Sequence, residues 1–320
     1  MESMTWNDPE LGVQGEPARR RKYRELQSQW RHEVLRAEAG LMTGRTTPVG
    51  SLLKQEDIDA QPDLNFLTKE AAEHAAERIE GVRQAGGTLE PGRLRRNLLS
   101  SMPLAFNLFG ALRRLPTFLD LVRALWAPEA KELLDVQCEW SPRPKSDYLN
   151  DNTAFDAAIW FRDDENNKVL LGIEVKYTDD FSKTMYDTDR YRAVSDLWFE
   201  RDAVELLKQP ATNQMWRNTL LAASIGAKGD VDRALVGMLT LADDKAATTA
   251  ATIISQHLLP SHADRLRTAT IEDAANRARA IPSLLPWADM FGPRYLTGPS
   301  TTGSPAPFGP APKRTIPSLT

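Results

Sequence analysis

The stretch Lys168 to Asp179, KVLLGIEVKYTD, constrains this chain most. It is rich in β-branched, aliphatic and aromatic residues and reads as a strand. Side chains on a strand alternate between faces. Val169, Leu171, Ile173, Val175 and Tyr177 therefore share an apolar face, and Leu170, Gly172, Glu174 and Lys176 share the other. A carboxylate and an ammonium thus sit two residues apart on an otherwise apolar strand. Just upstream, AFDAAIWF (Ala154 to Phe161) has the same character, with Phe155, Ala157, Ile159 and Phe161 on one face and Asp156, Ala158 and Trp160 on the other. The polar tract RDDENN between them suits a hairpin turn. Pairing of the two strands would bring Asp156, Glu174 and Lys176 together on one face of a sheet.

Two carboxylates and a lysine so placed suit metal-assisted phosphodiester hydrolysis. That reaction needs the phosphate charge neutralised and a water made nucleophilic, and Mg²⁺ held by one or two carboxylates does both. The plain alternative is a cross-strand ion pair on an exposed sheet face, worth about 0–1 kcal/mol. No Cys/His set for zinc and no Ser-His-Asp arrangement competes.

Upstream, Ala18 to Ala39 reads as a helix with an aromatic and aliphatic stripe, and Leu41 to Gln61 as a loop broken by Gly and Pro. Thr68 caps an Ala-rich, charged helix to Ala85, expected to be peripheral with His74 solvated. Pro91 starts the most apolar helical segment, expected to pack on the sheet. Glu132 to Trp140 reads as a strand with Leu134, Val136, Cys138 and Trp140 on one face and Asp135, Gln137 and Glu139 on the other. Glu139 can then join Asp156 and Glu174. In the following polar loop Lys145, Tyr148 and Asn152 are candidates to face a substrate. Thr212 to Ile225 is helical and carries Gln214 and Arg217, and Arg233 to Ala242 is a strand far enough on for a parallel crossover.

Hydrophobic residues make up 41% of the 320, enough for a proper core, and no run approaches the roughly 18 apolar residues of a membrane span. The acidic N-terminus has no secretory pattern, and one cysteine, Cys138, excludes an intrachain disulfide; a bacterial cytoplasmic location fits. A net charge of −4 argues against a basic coat but leaves local basic clusters: Arg19 to Arg24, Arg93 to Arg96, and Arg113 with Arg114. Each reads equally as a solvated helix face. Residues 1–16 and the Pro/Ser/Thr-rich 297–320 are expected to be disordered.

The Asp, then Glu-Val-Lys pattern resembles the PD-(D/E)xK nuclease superfamily. More narrowly, the chain resembles a bacterial family of proposed restriction endonucleases within it, through NFLTKE (Asn65 to Glu70), RLRRNLLSSMPLAFNLFG (Arg93 to Gly110), CEW (Cys138 to Trp140), the FD of Phe155 and Asp156, GIEVKYT (Gly172 to Thr178) and QMWRNTLLA (Gln214 to Ala222). Phe155 stands where the superfamily name has proline. The resemblance implies an α/β, restriction-endonuclease-like core of α-β-β-β-α-β order, a mixed central sheet flanked by helices, with extra N- and C-terminal helices. Residues 17–296 would form one domain: a helical part to about 128, the nuclease core at about 93–245, and a helical part from about 246. It also implies a Mg²⁺ (or Mn²⁺) site of Asp156, Glu174, the Val175 carbonyl and Glu139. Lys176 and Gln214 would serve the chemistry, and Arg217, Lys145, Arg93 and Arg96 would contact nucleic acid. Double-stranded DNA is the implied substrate, with no membrane partner, and a homodimer is compatible. The other reading is a catalytically silent module of the same fold that binds nucleic acid or a protein.

Overall fold

The computed structural model describes residues 11–87, 89–182, 184–298 and 314–319. Helix α1 (Ala18–Trp30) runs into a π-helical turn, and a hairpin of β1 (Ala39–Leu41) and β2 (Pro48–Leu53) follows. Next come α2 (Gln55–Ala60), α3 (Lys69–Gln84), α4 (Pro91–Arg96), α5 (Ser101–Ala105, prolonged by a π turn to Gly110) and α6 (Phe118–Leu125). Strands β3 (Ala130–Trp140), β4 (Phe155–Asp163) and β5 (Lys168–Lys176) form an antiparallel meander. Helices α7 (Asp189–Ser195), α8 (Val204–Leu207) and α9 (Asn213–Lys228) cross over to β6 (Arg233–Thr240), which pairs parallel to β5. Then α10 (Lys245–Gln256) leads to β7 (Leu266–Thr270), parallel to β6, and α11 (Ile271–Arg279) and α12 (Leu285–Gly292) close the chain. The five-stranded mixed sheet, in order β3-β4-β5-β6-β7, has the expected α/β architecture and one strand more than the minimal core.

Strand β5 lies at the centre of that sheet and is buried from Val169 to Lys176. Its alternation divides the core. Val169, Leu171, Ile173 and Val175 pack in a cluster with α3, α5, α6, α11 and α12, while Leu170 packs in a second cluster with α7, α9 and α10. Each such side chain contributes about 1.5–3 kcal/mol on burial. Glu174 and Lys176 fall on the α9 side. Among the described residues no helix is long and apolar enough to cross a membrane.

Four local expectations are corrected. Residues 41–61 contain the β1–β2 hairpin and α2 rather than a plain loop; strands this short show no periodicity against Gly44, Pro48 and Gly50. Helix α3 is not peripheral: Ala71, His74 and Ala75 are buried, and the His74 ring packs 5.6 Å from that of Phe106. Leu134 is the extra residue of a β-bulge between Leu133 and Asp135, and is exposed.

The fourth correction concerns the chain ends. Residues 1–10, 299–313 and 320 lie outside the described residues, but Leu11 is buried and Glu16 pairs with the buried Arg24 at 2.8 Å. Residues 314–319 dock on the start of α3. The Pro317 carbonyl accepts the Lys69 amide at 2.9 Å, and Glu70 accepts from the Leu319 amide at 3.0 Å and from the Ser318 hydroxyl. A helix leaves its first amides without internal partners, and this segment supplies one. Leu319 adds apolar contact with the core.

Candidate active site

The site forms where β4 and β5 separate. Their ladder pairs Ala157 with Ile173 and ends there. Beyond it the Asp156 carboxylate, not a backbone carbonyl, accepts the Val175 amide at 2.7 Å. The chain rotates with it: Phe155 leaves the face it was expected to share with Ala157 and enters the opposite cluster. There its ring lies over Gly172, where a Cβ would stand 2.5 Å from the ring. Gly172→Ala is therefore expected to displace Phe155, and Asp156 with it. The expected cost is about 1–3 kcal/mol in urea unfolding, as for an overpacked core, with weaker metal binding at the same site.

Glu174 and Lys176 are buried, 3% and 4% exposed. Their ion pair measures 3.0 Å. Helix α9 completes the arrangement. Gln214 donates its amide to Glu174 Oε1 and accepts from Lys176 Nζ at 2.8 Å. Asn218, one turn on, donates to Glu174 Oε2. The Phe181 ring lies 4.7 Å from the Lys176 ammonium. Asn218 escaped the sequence reading, although its position four residues after Gln214 puts it on the same helix face.

Glu139 reaches the same cleft by a different device. Its φ is +50°, in the left-handed region that costs a non-glycine residue about 1 kcal/mol or more. Arg78 holds the turn by donating to the carbonyls of Cys138 (2.8 Å) and Glu139 (2.9 Å). The left-handed residue breaks the strand alternation. Trp140 consequently departs from the Cys138 face and packs with Phe155 and Trp160. Cys138 itself is a buried free thiol, as expected.

Burial and neighbouring charge raise the proton affinity of Asp156 and Glu139. Burial, and then the charges of Glu174 and Glu139, hold Asp156 well above the usual carboxylate range, against the Val175 amide and Lys176. Burial and the Glu174 charge push Glu139 up to about 7. Among the described residues no three His, Cys, Asp or Glu side chains are gathered as a metal cage, so Glu139 does not form a three-carboxylate cluster with Asp156 and Glu174. The donor set is two carboxylates whose crowding Lys176 only partly relieves. That suits a hard divalent cation taken up together with a phosphate.

The cleft above measures about 770 Å³. Arg20, Arg78, Arg93, Arg143, Lys145 and Arg217 line it. Arg93 donates to Ser100 Oγ and pairs with Asp179 at 3.1 Å, while Asp179 accepts the Ser101 amide at 2.7 Å. Thr178 Oγ1 donates to the Leu99 carbonyl. The NLLSSMP motif thus clamps the end of the strand that carries Glu174 and Lys176. Lys145 is half-buried and donates to Asn152 Oδ1. Arg96 does not reach the cleft: it donates to the Leu53 and Leu41 carbonyls and fastens the hairpin. Tyr148, a candidate to face substrate, is buried in the α9-side core.

A mixed sheet carrying an aspartate and a Glu-x-Lys strand at the floor of a cation-lined cleft defines a nuclease class of fold. The chain belongs to the PD-(D/E)XK nuclease superfamily, whose family model matches residues 14–297. No curated protein and no solved structure matches the chain.

Proposed function

We propose that this protein is a metal-dependent endonuclease that hydrolyses phosphodiester bonds in DNA. The observation that supports this most is the closed hydrogen-bonded triangle of Glu174, Lys176 and Gln214 beside Asp156, under a cleft lined by cations. Asp156 and Glu174, with the carbonyl of Val175 that follows Glu174 in sequence, would hold Mg²⁺ or Mn²⁺. Such an ion, when bound, acidifies water and neutralises charge on the phosphate.

The protein's own groups account for the rest. Lys176 has its ammonium fixed by Glu174 and Gln214, so it can orient the attacking water or counter the charge that develops on the phosphate. Gln214 and Asn218 hold both Glu174 oxygens toward the site. Glu139, poised near neutrality, tunes the charge of the pair. Arg93, Arg143, Lys145 and Arg217 would take neighbouring phosphates, which gives the acidic protein a local basic track and makes binding salt-sensitive.

The test is incubation of the purified protein with plasmid, linear duplex DNA, single-stranded DNA and RNA, each with Mg²⁺, Mn²⁺ or chelator. Metal-dependent cutting of DNA within the chain is the expected result. Cutting of RNA alone would overturn the assignment of DNA. Binding of DNA without cutting in either metal would leave the silent module as the better reading, with both Glu174 oxygens already occupied by protein donors as its cause.

A further inference from the structure

Tyr186 carries the only exposed aromatic ring among the described residues, 42% exposed, and it stands in the active cleft. Two features show that its position is built. Both backbone groups of Tyr186 are fixed by the side chain of Asn213, itself 1% exposed: its oxygen accepts the Tyr186 amide at 3.3 Å, and its amide donates to the Tyr186 carbonyl at 3.0 Å. The ring also stands 4.1 Å from the Arg217 guanidinium carbon. Arg217 is immobilised in turn, donating to Tyr191 Oη at 3.1 Å, Thr153 Oγ1 at 2.7 Å and Asp151 Oδ2 at 3.2 Å. One helix face therefore does two things: Asn213 and Arg217 hold the ring, and Gln214 and Asn218 hold Glu174.

We infer that Tyr186 stacks an unpaired nucleotide base of the substrate next to the scissile phosphate. The inference rests on the nuclease reading and narrows its substrate class to single-stranded or locally unpaired DNA. Aromatic rings in nucleic-acid grooves bind bases by their faces, without regard to sequence. Inside a duplex both faces of each base are already stacked on neighbours, so only an unpaired base has a face to offer. The Arg217 cation under the ring adds attraction for the flanking phosphate.

The test measures binding of a fluorescent single-stranded oligonucleotide and of a blunt duplex of the same length, in chelator so that nothing is cut. The full-length protein is compared with Tyr186→Ala and Tyr186→Phe. The expected result is a roughly 10- to 100-fold loss of single-strand affinity in Tyr186→Ala, retention in Tyr186→Phe, and unchanged duplex affinity. A 2-aminopurine base in the strand should be quenched by wild type and not by Tyr186→Ala. Equal losses for strand and duplex, or no loss for either, in a protein that still cuts DNA would overturn the stacking role alone. A wild type that neither binds nor cuts any DNA would overturn the nuclease reading with it.

Discussion

Glu174→Gln and Lys176→Ala are each expected to lower the rate of DNA cutting by about 10²- to 10⁴-fold, the range found when a positioned charge or proton-transfer group is removed from an active site. The two losses should not add. Glu174 and Lys176 pair at 3.0 Å and share Gln214, so removing either dissolves the same unit, and the double variant should cut no more slowly than the worse single. Both side chains are buried, and a buried pair broken on one side costs about 3–5 kcal/mol of stability. Circular dichroism and urea midpoints must therefore accompany the rates. Glu174→Gln has a second signature. The Glu174 charge is one of the causes that hold Asp156 and Glu139 above the usual carboxylate range. Without it, Glu139 should titrate below its present value of about 7, as carbon-detected NMR of the carboxyl would report. Wild-type cutting by either folded variant would remove the proposed site.

How much of this was legible depends on how far the strand rule runs unbroken. Along β5 the ladder to β6 runs unbroken from Val169 to Lys176, so alternation alone puts Glu174 and Lys176 together on the α9 face. The parallel crossover to β6 is legible for a similar reason, since the separating segment is long enough to hold α9. The rule fails where the backbone leaves the ladder. Asp156 sits past the last residue of β4 that pairs with β5, and Phe155 changes sides; Glu139 is left-handed and sends Trp140 to the far face. Those departures follow from contacts distant in sequence, such as Arg78 to the Cys138 and Glu139 carbonyls, which no local pattern encodes. They also occur at the site itself, where the functional geometry overrides the local preference. Composition misled at the other end of the molecule. Residues 314–319, the end of the Pro/Ser/Thr-rich tail, read as unstructured, yet the Pro317 carbonyl accepts the Lys69 amide and the Leu319 amide donates to Glu70 at the start of α3. Arg96 looked like one more cation near the cleft; its direction depends on a hairpin too short to be seen in sequence.

His74 is expected to make the protein acid-labile in a defined window. Its Nε2 accepts the Cys138 amide at 3.0 Å, so the neutral ring carries its proton on Nδ1 and donates to Glu77 at 3.3 Å. Burial, and then the Arg113 charge, lower its pKa from 6.5 to about 4, with Glu77 opposing and Arg78 adding to the effect. The folded pKa therefore lies below the unfolded one. Above about 6.5 both states hold a neutral ring and nothing is lost. As pH falls below that value the unfolded chain takes up a proton that the folded chain refuses, and stability declines until the folded ring also titrates near 4. Between pH 7 and 4.5 this one group removes about 2–3 kcal/mol. His74→Gln keeps a polar side chain able to accept the Cys138 amide and cannot titrate. Urea unfolding at the two pH values should show wild type losing about 2–3 kcal/mol more than this variant, and equal losses would mean that the folded ring titrates where the unfolded one does. The consequence reaches the cleft, because His74 and Arg78 on one face of α3 grip adjacent groups of β3. A proton on Nε2 would turn an acceptor into a donor facing the Cys138 amide, and the strand end that carries Glu139 would lose one of its two anchors. Metal-dependent cutting in wild type should then fall with acid more steeply than in His74→Gln, although the residue lies on the apolar side of the sheet.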